Sequence, residues 1–536
     1  MLNCHASVCS VPAYCFLNMP MNSLTPKGHS PSDTLRTSAT GPTTLIALIV
    51  LLLGAAGCNR ASRSGASQHS RGTGETNSIA VAKNIDPLAL VLAPHTGDDK
   101  VDSEIRRFQE RVRTETNSNP AMERLGWLFV AKARESFDPG YYTLAEACAR
   151  LLEARTAGCP LPHLGAPASR RHKTATDTLQ ETGCRDASAP RNEALLLRGH
   201  VLQNLHRFKE TEPLARELVA RRGLSFDYAL LGDTLMEQGQ LAAAAAAYQS
   251  MMDQRPDLHS YSRGAHMRWL KGDLAGALEL MQLAASASSP LDPESAAWVH
   301  TRLAFYRLLS GTPGAAYREC ERALQFQASY PPALLMQGRL LLAERKSAEA
   351  IEALQVAARR NPLPDYQWTL AEALRQNGRL TEASDVESQL ERNGAANDPR
   401  TYSLYLATRG QSLTTALRLA EQELEERSDV FTHDALAWSL AASGRLQEAL
   451  CQMEKALAEG TEDPRLFFHA AVIAAKAGNP RNARHWFAKA NQHIQSLLPS
   501  EQQQLLDAAL VTRVASGPES TPQPASARAG FFTRGN

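Results

Sequence analysis

The stretch FDYALLGDTLMEQGQLAAAAAAYQSMMDQRP, residues 226–256, decides the fold. Tyr228, Leu231, Gly232 and Leu235 stand at i, i+3, i+4 and i+7, the spacing that places side chains on one face of a 3.6-residue helix. Gly239 then lets the chain leave that helix in a left-handed conformation. A second helix carries Ala244, Tyr248 and Met251 on one face, and Pro256 ends the unit. Gly232 and Ala244 are small enough for the two helices to approach closely. One such pair cannot bury its apolar face alone, so the segment predicts similar pairs stacked on either side of it.

Those neighbours are present. The pattern of Gly, a polar residue and an apolar residue recurs at Gly239-Gln-Leu241, Gly272-Asp-Leu274, Gly378-Arg-Leu380 and Gly444-Arg-Leu446, with related turns at Gly311-Thr-Pro313 and Gly478-Asn-Pro480. The steps from Gly239 to Gly272, from Gly272 to Gly311 and from Gly444 to Gly478 are 33, 39 and 34 residues. Between Gly311 and Gly378 the step is 67, room for one repeat without the glycine. Leu334, Gly338, Leu341, Ala350, Leu354, Ala357 and Pro362 hold its offsets, with Arg345 at the turn.

This pattern resembles the tetratricopeptide repeat, whose period is about 34 residues with a W-x2-L-G-x2-Y…A-x3-F…P signature. The fullest copies are Tyr228-x2-Leu231-Gly232…Ala244-x3-Tyr248…Pro256 and Leu436-Ala437…Gly444…Ala449-x3-Met453…Ala456. Partial copies begin near Asn192 and Pro464, an early one carries Leu125-Gly126 and Phe129, and a unit near Arg400 has a shortened turn. The resemblance implies an all-α, right-handed superhelical solenoid of about eight or nine helical hairpins over residues 119 to about 491. In that family, positions 4, 7, 8 and 11 of the first helix pack internally. Positions 2, 5, 9 and 12 line a concave groove that binds extended peptides or partner helices.

Five of the six tryptophans take groove offsets: Trp127 at position 9, Trp269 at 12, Trp298 at 2, Trp368 at 5 and Trp438 at 9. His266, Arg339 and Asp434 share those offsets. Trp and Arg are typical interface anchors, so these eight residues form a candidate partner-binding groove. The same rings can equally fill the superhelix between adjacent first helices, and both readings stand at this point.

Near the N-terminus, the apolar run LIALIVLLL (45–53) is followed by Gly54-Ala55-Ala56-Gly57-Cys58. A run this short ending in small residues is a signal-peptide pattern, too short for a comfortable membrane-spanning helix. It resembles the lipobox of bacterial lipoproteins, although Ala55 stands where that family usually has Leu. The resemblance implies diacylation of Cys58, removal of what precedes it, and a cell-envelope location facing the periplasm or extracellular space. Asn59 would permit sorting to an outer membrane. An uncleaved signal anchor is the alternative. The organisation expected is a signal over 1–58, a flexible Gly/Ser-rich tether over 59–100 and a first helical region over 101–156. An irregular insertion over 157–191, the repeat array over 192–499, and a terminal helix with a disordered tail over 500–536 complete it.

In an exported chain Cys159 and Cys184 are candidates for a disulfide closing the insertion. Cys148, Cys320 and Cys451 lie in helical patterns and read as small buried hydrophobes.

Lys and Arg number 57 against 56 Asp and Glu, a formal charge of +1, which does not point to a nucleic-acid partner. The arginines, interleaved with acids, read as solvated faces, and Arg170-Arg171-His172-Lys173 as a solvated loop. No H-E-x-x-H, C-x-x-C, G-x-S-x-G or phosphate-loop motif occurs, so no catalytic residue, cofactor or metal ligand is assigned. The expected function is a membrane-tethered scaffold or adaptor binding a protein or peptide partner in the groove, and not an enzyme. The alternative is an enzyme or transport component with an unrecognised site in the insertion or groove. Perturbed acids or histidines converging in one pocket would favour that alternative.

Overall fold

The computed structural model describes residues 86–156 and 191–515. The lipobox segment with Cys58, most of the insertion with Cys159 and Cys184, and the final residues lie outside the described residues. Every regular element among the described residues is helical.

Two helices, α1 (Pro87–Val91) and α2 (Lys100–Thr114), come first. The start of α2 is fixed by a reciprocal cap: Asp99 accepts from the Asp102 amide, and Asp102 accepts from the Asp99 amide. Ten antiparallel hairpins follow. The first pairs α3 (Asn119–Ser136) with α4 (Gly140–Thr156), and the second pairs α5 (residues 191–204) with α6 (Phe208–Arg221). Next come α7 (Ser225–Glu237) with α8 (Leu241–Gln254), α9 (Leu258–Leu270) with α10 (Leu274–Ser286), and α11 (Pro293–Leu309) with α12 (Pro313–Phe326). Then α13 (Pro331–Ala343) pairs with α14 (Ser347–Arg360), α15 (Pro364–Gln376) with α16 (Leu380–Asn397), and α17 (Pro399–Arg409) with α18 (Leu413–Glu426). The last two pair α19 (Val430–Ala442) with α20 (Leu446–Leu457) and α21 (Pro464–Lys476) with α22 (Pro480–Gln492). A final helix, α23 (Pro499–Ala515), covers the end of the array and packs on α21, α22 and α15. Each second helix also packs on the first helix of the following hairpin, so the core is a continuous strip rather than a ball.

The residues that suggest the hairpins also hold them together. A Cβ added to Gly232 would lie 2.4 Å from the Tyr248 ring, and one added to Gly338 would lie 2.5 Å from Leu354 Cγ. These glycines set the close approach of the two helices. The turn glycines all have positive φ, from 65° at Gly410 to 80° at Gly444. Arg345 keeps the same turn at φ 61° in the repeat without a glycine. That conformation costs an L-residue about 1–2 kcal/mol, part of which glycine returns through its looser unfolded chain. Arg345→Gly is therefore expected to stabilise the chain by about 0.5–1 kcal/mol, read as a higher denaturation midpoint; a lower midpoint would show the turn to be unstrained.

Three sequence expectations change. Among the described residues the hairpins number ten, because the incomplete units at 191–221 and 399–426 are regular: α17 is capped by Asp398 on the Thr401 amide and ends at Gly410 with φ 65°. Cys148 and Cys320 are buried but Cys451 is exposed, since α20 turns Ala449, Met453 and Ala456 inward and leaves position 451 on the opposite side. The arginines are not all solvated. Arg263, Arg302 and Arg427 are at most 3% exposed.

Candidate functional site: the interior of the superhelix

The array winds until hairpins roughly 190 residues apart touch. The Ser428 amide donates to the Glu237 carbonyl at 3.1 Å, and Ser428 Oγ donates to the Gln238 carbonyl at 2.9 Å. Arg427 Nη1 meets Glu237 Oε2 at 3.3 Å. One hairpin further along, Thr461 Oγ1 donates to the Leu270 carbonyl at 2.7 Å, Trp269 Nε1 donates to the Glu462 carbonyl at 3.2 Å, and Lys271 pairs with Glu459. The turns that meet have no room for a side chain. A Cβ on Gly239 would lie 2.4 Å from the Ser428 carbonyl oxygen, and one on Gly272 2.6 Å from that of Gly460. A second long-range pair joins Arg134 of α3 to Glu294 of α11 at 2.6 Å.

Inside this seam lies a cavity of about 320 Å³. Most of its wall comes from first helices, from α3 through α21. Of the eight predicted groove residues, His266, Trp269, Trp298, Arg339 and Asp434 meet there, and Trp127, Trp368 and Trp438 do not.

Each ring has a place in the packing. Trp269 is 2% exposed, stacked on Phe431 at 5.6 Å between centroids and edge-on to Phe305 at 5.4 Å. Trp298 is buried in the cavity wall. Trp368 is buried with Nε1 donating to Glu372 Oε1 at 3.2 Å and the Arg465 guanidinium 5.3 Å above its ring. Trp438 donates to Thr408 Oγ1 at 2.9 Å and stacks on His469 at 4.2 Å. Trp127 is half-buried, 5.4 Å from the His200 ring. Asp434 is bonded to His469 Nδ1 at 2.8 Å, and Arg339 pairs with Asp365.

Several ionisable groups of the wall are perturbed, each by a visible cause. Burial, reinforced by Asp429, pushes Glu237 up to about 7 against the pull of Arg427 and Arg400. Burial pushes Asp429 up as well, but Arg400, Arg427 and its bonds to Thr432 and Phe431 outweigh it and hold that carboxyl low. Burial raises Asp463, which caps α21 by accepting from the Arg465 amide at 2.8 Å. His266 is pushed down to about 3 by burial and by Arg302, so its ring is neutral at ordinary pH. Burial is the first cause in each case, and the caps and ion pairs of the fold reinforce or oppose it. Among the described residues no three His, Cys, Asp or Glu side chains are grouped to hold a metal ion.

The sequence reading missed Arg302, Phe305 and Phe431 of this wall. Phe305 follows Trp298 by seven residues on the same helix face, a signal that was available. Arg302 follows Trp298 by four, but lies one residue off the 3–4–3 stripe and reads in the sequence as a solvated charge.

Residues 335–398, spanning most of α13 to α16, match a family model described as a tetratricopeptide repeat. No curated protein sequence matches the chain. Three of the solved structures it is similar to are Pseudomonas aeruginosa pilF, a tetratricopeptide repeat protein from Parabacteroides merdae, and human IFIT1 with PPP-AAAA. The pilF structure is 15% identical, over 40% of this chain and 96% of that one, with a TM-score of 0.33. The Parabacteroides merdae protein is 16% identical, over 48% and 98%, with a TM-score of 0.28. For human IFIT1 the identity is 11%, over 76% and 98%, with a TM-score of 0.39.

Proposed function

We propose that this chain is an interaction scaffold, held at a membrane by a lipid on Cys58 and facing the extracytoplasmic space, whose array captures a protein or peptide partner. Arrays of tetratricopeptide-type hairpins generally present extended binding surfaces to other proteins. The observation that carries the reading is the convergence of Trp269, Trp298, Arg339 and Asp434, drawn from four hairpins, on one interior wall. Aromatic and arginine anchors among polar neighbours suit partner burial. No helix among the described residues is long and apolar enough to cross a membrane. The feature that supports attachment is the apolar run 45–53 with the small residues before Cys58.

Metabolic labelling with an alkyne fatty acid, followed by capture through a tag placed after Asn536, tests both halves. The wild-type chain is expected to take up label, and Cys58→Ser to lose it and retain its leader. One or two stoichiometric envelope proteins should elute with the wild type. A chain unlabelled at Cys58 removes the tether. A labelled chain that brings down no reproducible partner removes the scaffold.

A further inference from the structure

We infer that the interior cavity is a binding site for a small organic anion, with its acidic group on Arg302 and its apolar body against Trp298, Phe305 and Phe431. This goes beyond partner capture and does not depend on it.

Arg302 is a buried charge with no countercharge beside it among the described residues. Arg302 is 3% exposed and lies in the cavity wall on α11. Its guanidinium carbon sits 4.8 Å from the Phe305 ring centre, 5.1 Å from Tyr306 and 5.5 Å from Trp269. Its polar contacts are weak and neutral: Nη2 is 3.4 Å from the Tyr306 hydroxyl and 3.5 Å from His266 Nδ1, and Nε is buried with no partner. Ring faces compensate a cation in part, yet a guanidinium carries five N–H donors, and an aromatic face is a weak acceptor for them.

The other arginines of the wall differ. Arg134 has Glu294, Arg339 has Asp365, Arg400 has Asp429 and Arg465 has Glu501. Among the described residues no carboxylate lies on Arg302. The histidine beside it is neutral at ordinary pH, so Arg302 leaves an unpaired positive charge among the aromatic rings of its part of the wall. Buried charges are kept where they are paired or coordinate something, and here the coordinating group is left for a ligand.

The surroundings define the rest of that ligand. A volume of about 320 Å³ stands at the small end of the range for small-molecule sites, which combine apolar walls with a few placed polar groups. Trp298, Phe305 and Phe431 call for an apolar body rather than a bare inorganic ion. A planar guanidinium takes a carboxylate, phosphate or sulfonate through paired N–H···O bonds, so the head group is an oxyanion.

Calorimetric titration of the full chain with phenylacetate, octanoate, indole-3-acetate and phenyl phosphate, each beside its uncharged amide or alcohol, tests the assignment. At least one anion is expected to bind with a Kd below about 1 mM and at least about tenfold more tightly than its neutral counterpart. Preference for phenyl phosphate over phenylacetate, or the reverse, identifies the head group. Arg302→Gln should lose about tenfold or more in affinity. Ligand-free Arg302→Met should melt at or above the wild-type temperature, because an unpaired buried charge has been removed. A panel in which no anion binds, or in which anion and neutral counterpart bind alike, overturns the proposal. So does an Arg302→Met chain that melts well below wild type without ligand, which would make the stacked guanidinium a structural part of the wall.

Discussion

Asp233→Ala is expected to destabilise the array by about 3–5 kcal/mol, the loss typical of stranding one member of a buried ion pair. Asp233 is fully buried in α7 and ties three successive hairpins together. Its Oδ1 accepts from Arg263 Nε of α9 and from the Tyr248 hydroxyl of α8, each at 2.8 Å. Its Oδ2 accepts from Arg263 Nη2 at 2.7 Å and from Gln203 Nε2 of α5 at 3.2 Å. Arg263 is itself 1% exposed, so removing the carboxylate leaves a guanidinium and a phenol in the core without their acceptor. Asp233→Leu combined with Arg263→Met removes both charges and should recover most of the loss, since apolar residues of similar volume replace such pairs at little net cost. Stability in an array adds up from nearest neighbours, so hydrogen exchange should rise first across residues 191–286 and reach distant hairpins later. A loss below about 1 kcal/mol, or a double variant no better than Asp233→Ala, would mean that the cluster is incidental to the stacking.

The contrast between Asp233 and Gly232 shows what the sequence could and could not reveal. Gly232 was legible as a small residue admitting a second helix because the Tyr248 it admits is only sixteen residues away, inside the same 34-residue pattern. Arg345 was legible as a turn residue for the same reason, even without its glycine. Asp233 and Arg263 look like two surface charges in a sequence, since nothing in a one-dimensional pattern separates an acid facing solvent from one facing a cation thirty residues on. The seam was less legible still. Whether Glu237 meets Arg427 depends on a small rotation per hairpin accumulated over about half a dozen hairpins, and an error of a few degrees in each moves the contact away. That accumulated winding is also why only five of the eight predicted groove residues share a wall. The 3–4–3 offsets place a side chain on the correct side of its own helix. The pitch then decides which of those sides face the same volume, and it carries Trp368 under Arg465 and Trp438 under His469 instead.

Raising the pH from about 5 to about 8 is expected to loosen the seam, and Glu237→Gln to abolish that dependence. Glu237 is 5% exposed, beside Arg427 and within reach of Arg400 and Asp429, and its carboxyl is raised from the ordinary 4.5 to about 7, chiefly by burial. Between those two values the folded chain holds a proton that the unfolded chain has released. The unfolding free energy therefore falls as pH rises, with the full stabilisation present below about 4.5 and lost as the pH passes about 7. A displacement of this size corresponds to roughly 3 kcal/mol, an upper figure because a partly opened seam lets water reach the carboxylate before the array unfolds. Groups held low work in the opposite sense. Asp429 beside Arg400, Glu319 beside His300 and Asp102 beside Lys132 all lose their contribution on acidification, so the global melting temperature mixes both trends. A local probe separates them. The Ser428 amide donates to the Glu237 carbonyl across the seam, and its protection from exchange, corrected for the intrinsic rate, should fall about ten- to a hundredfold between pH 5.5 and 8 in the wild type. In Glu237→Gln it should stay level. Equal slopes in the two chains would assign the pH response to another group, and a level wild type would mean that Arg427 keeps Glu237 ionised throughout. The same titration bears on the interior, because Glu237 lines the cavity as well as the seam. A seam that opens above pH 7 also opens a route between hairpins to Arg302, so ligand exchange in the cavity should quicken over the same pH interval in the wild type and stay constant in Glu237→Gln.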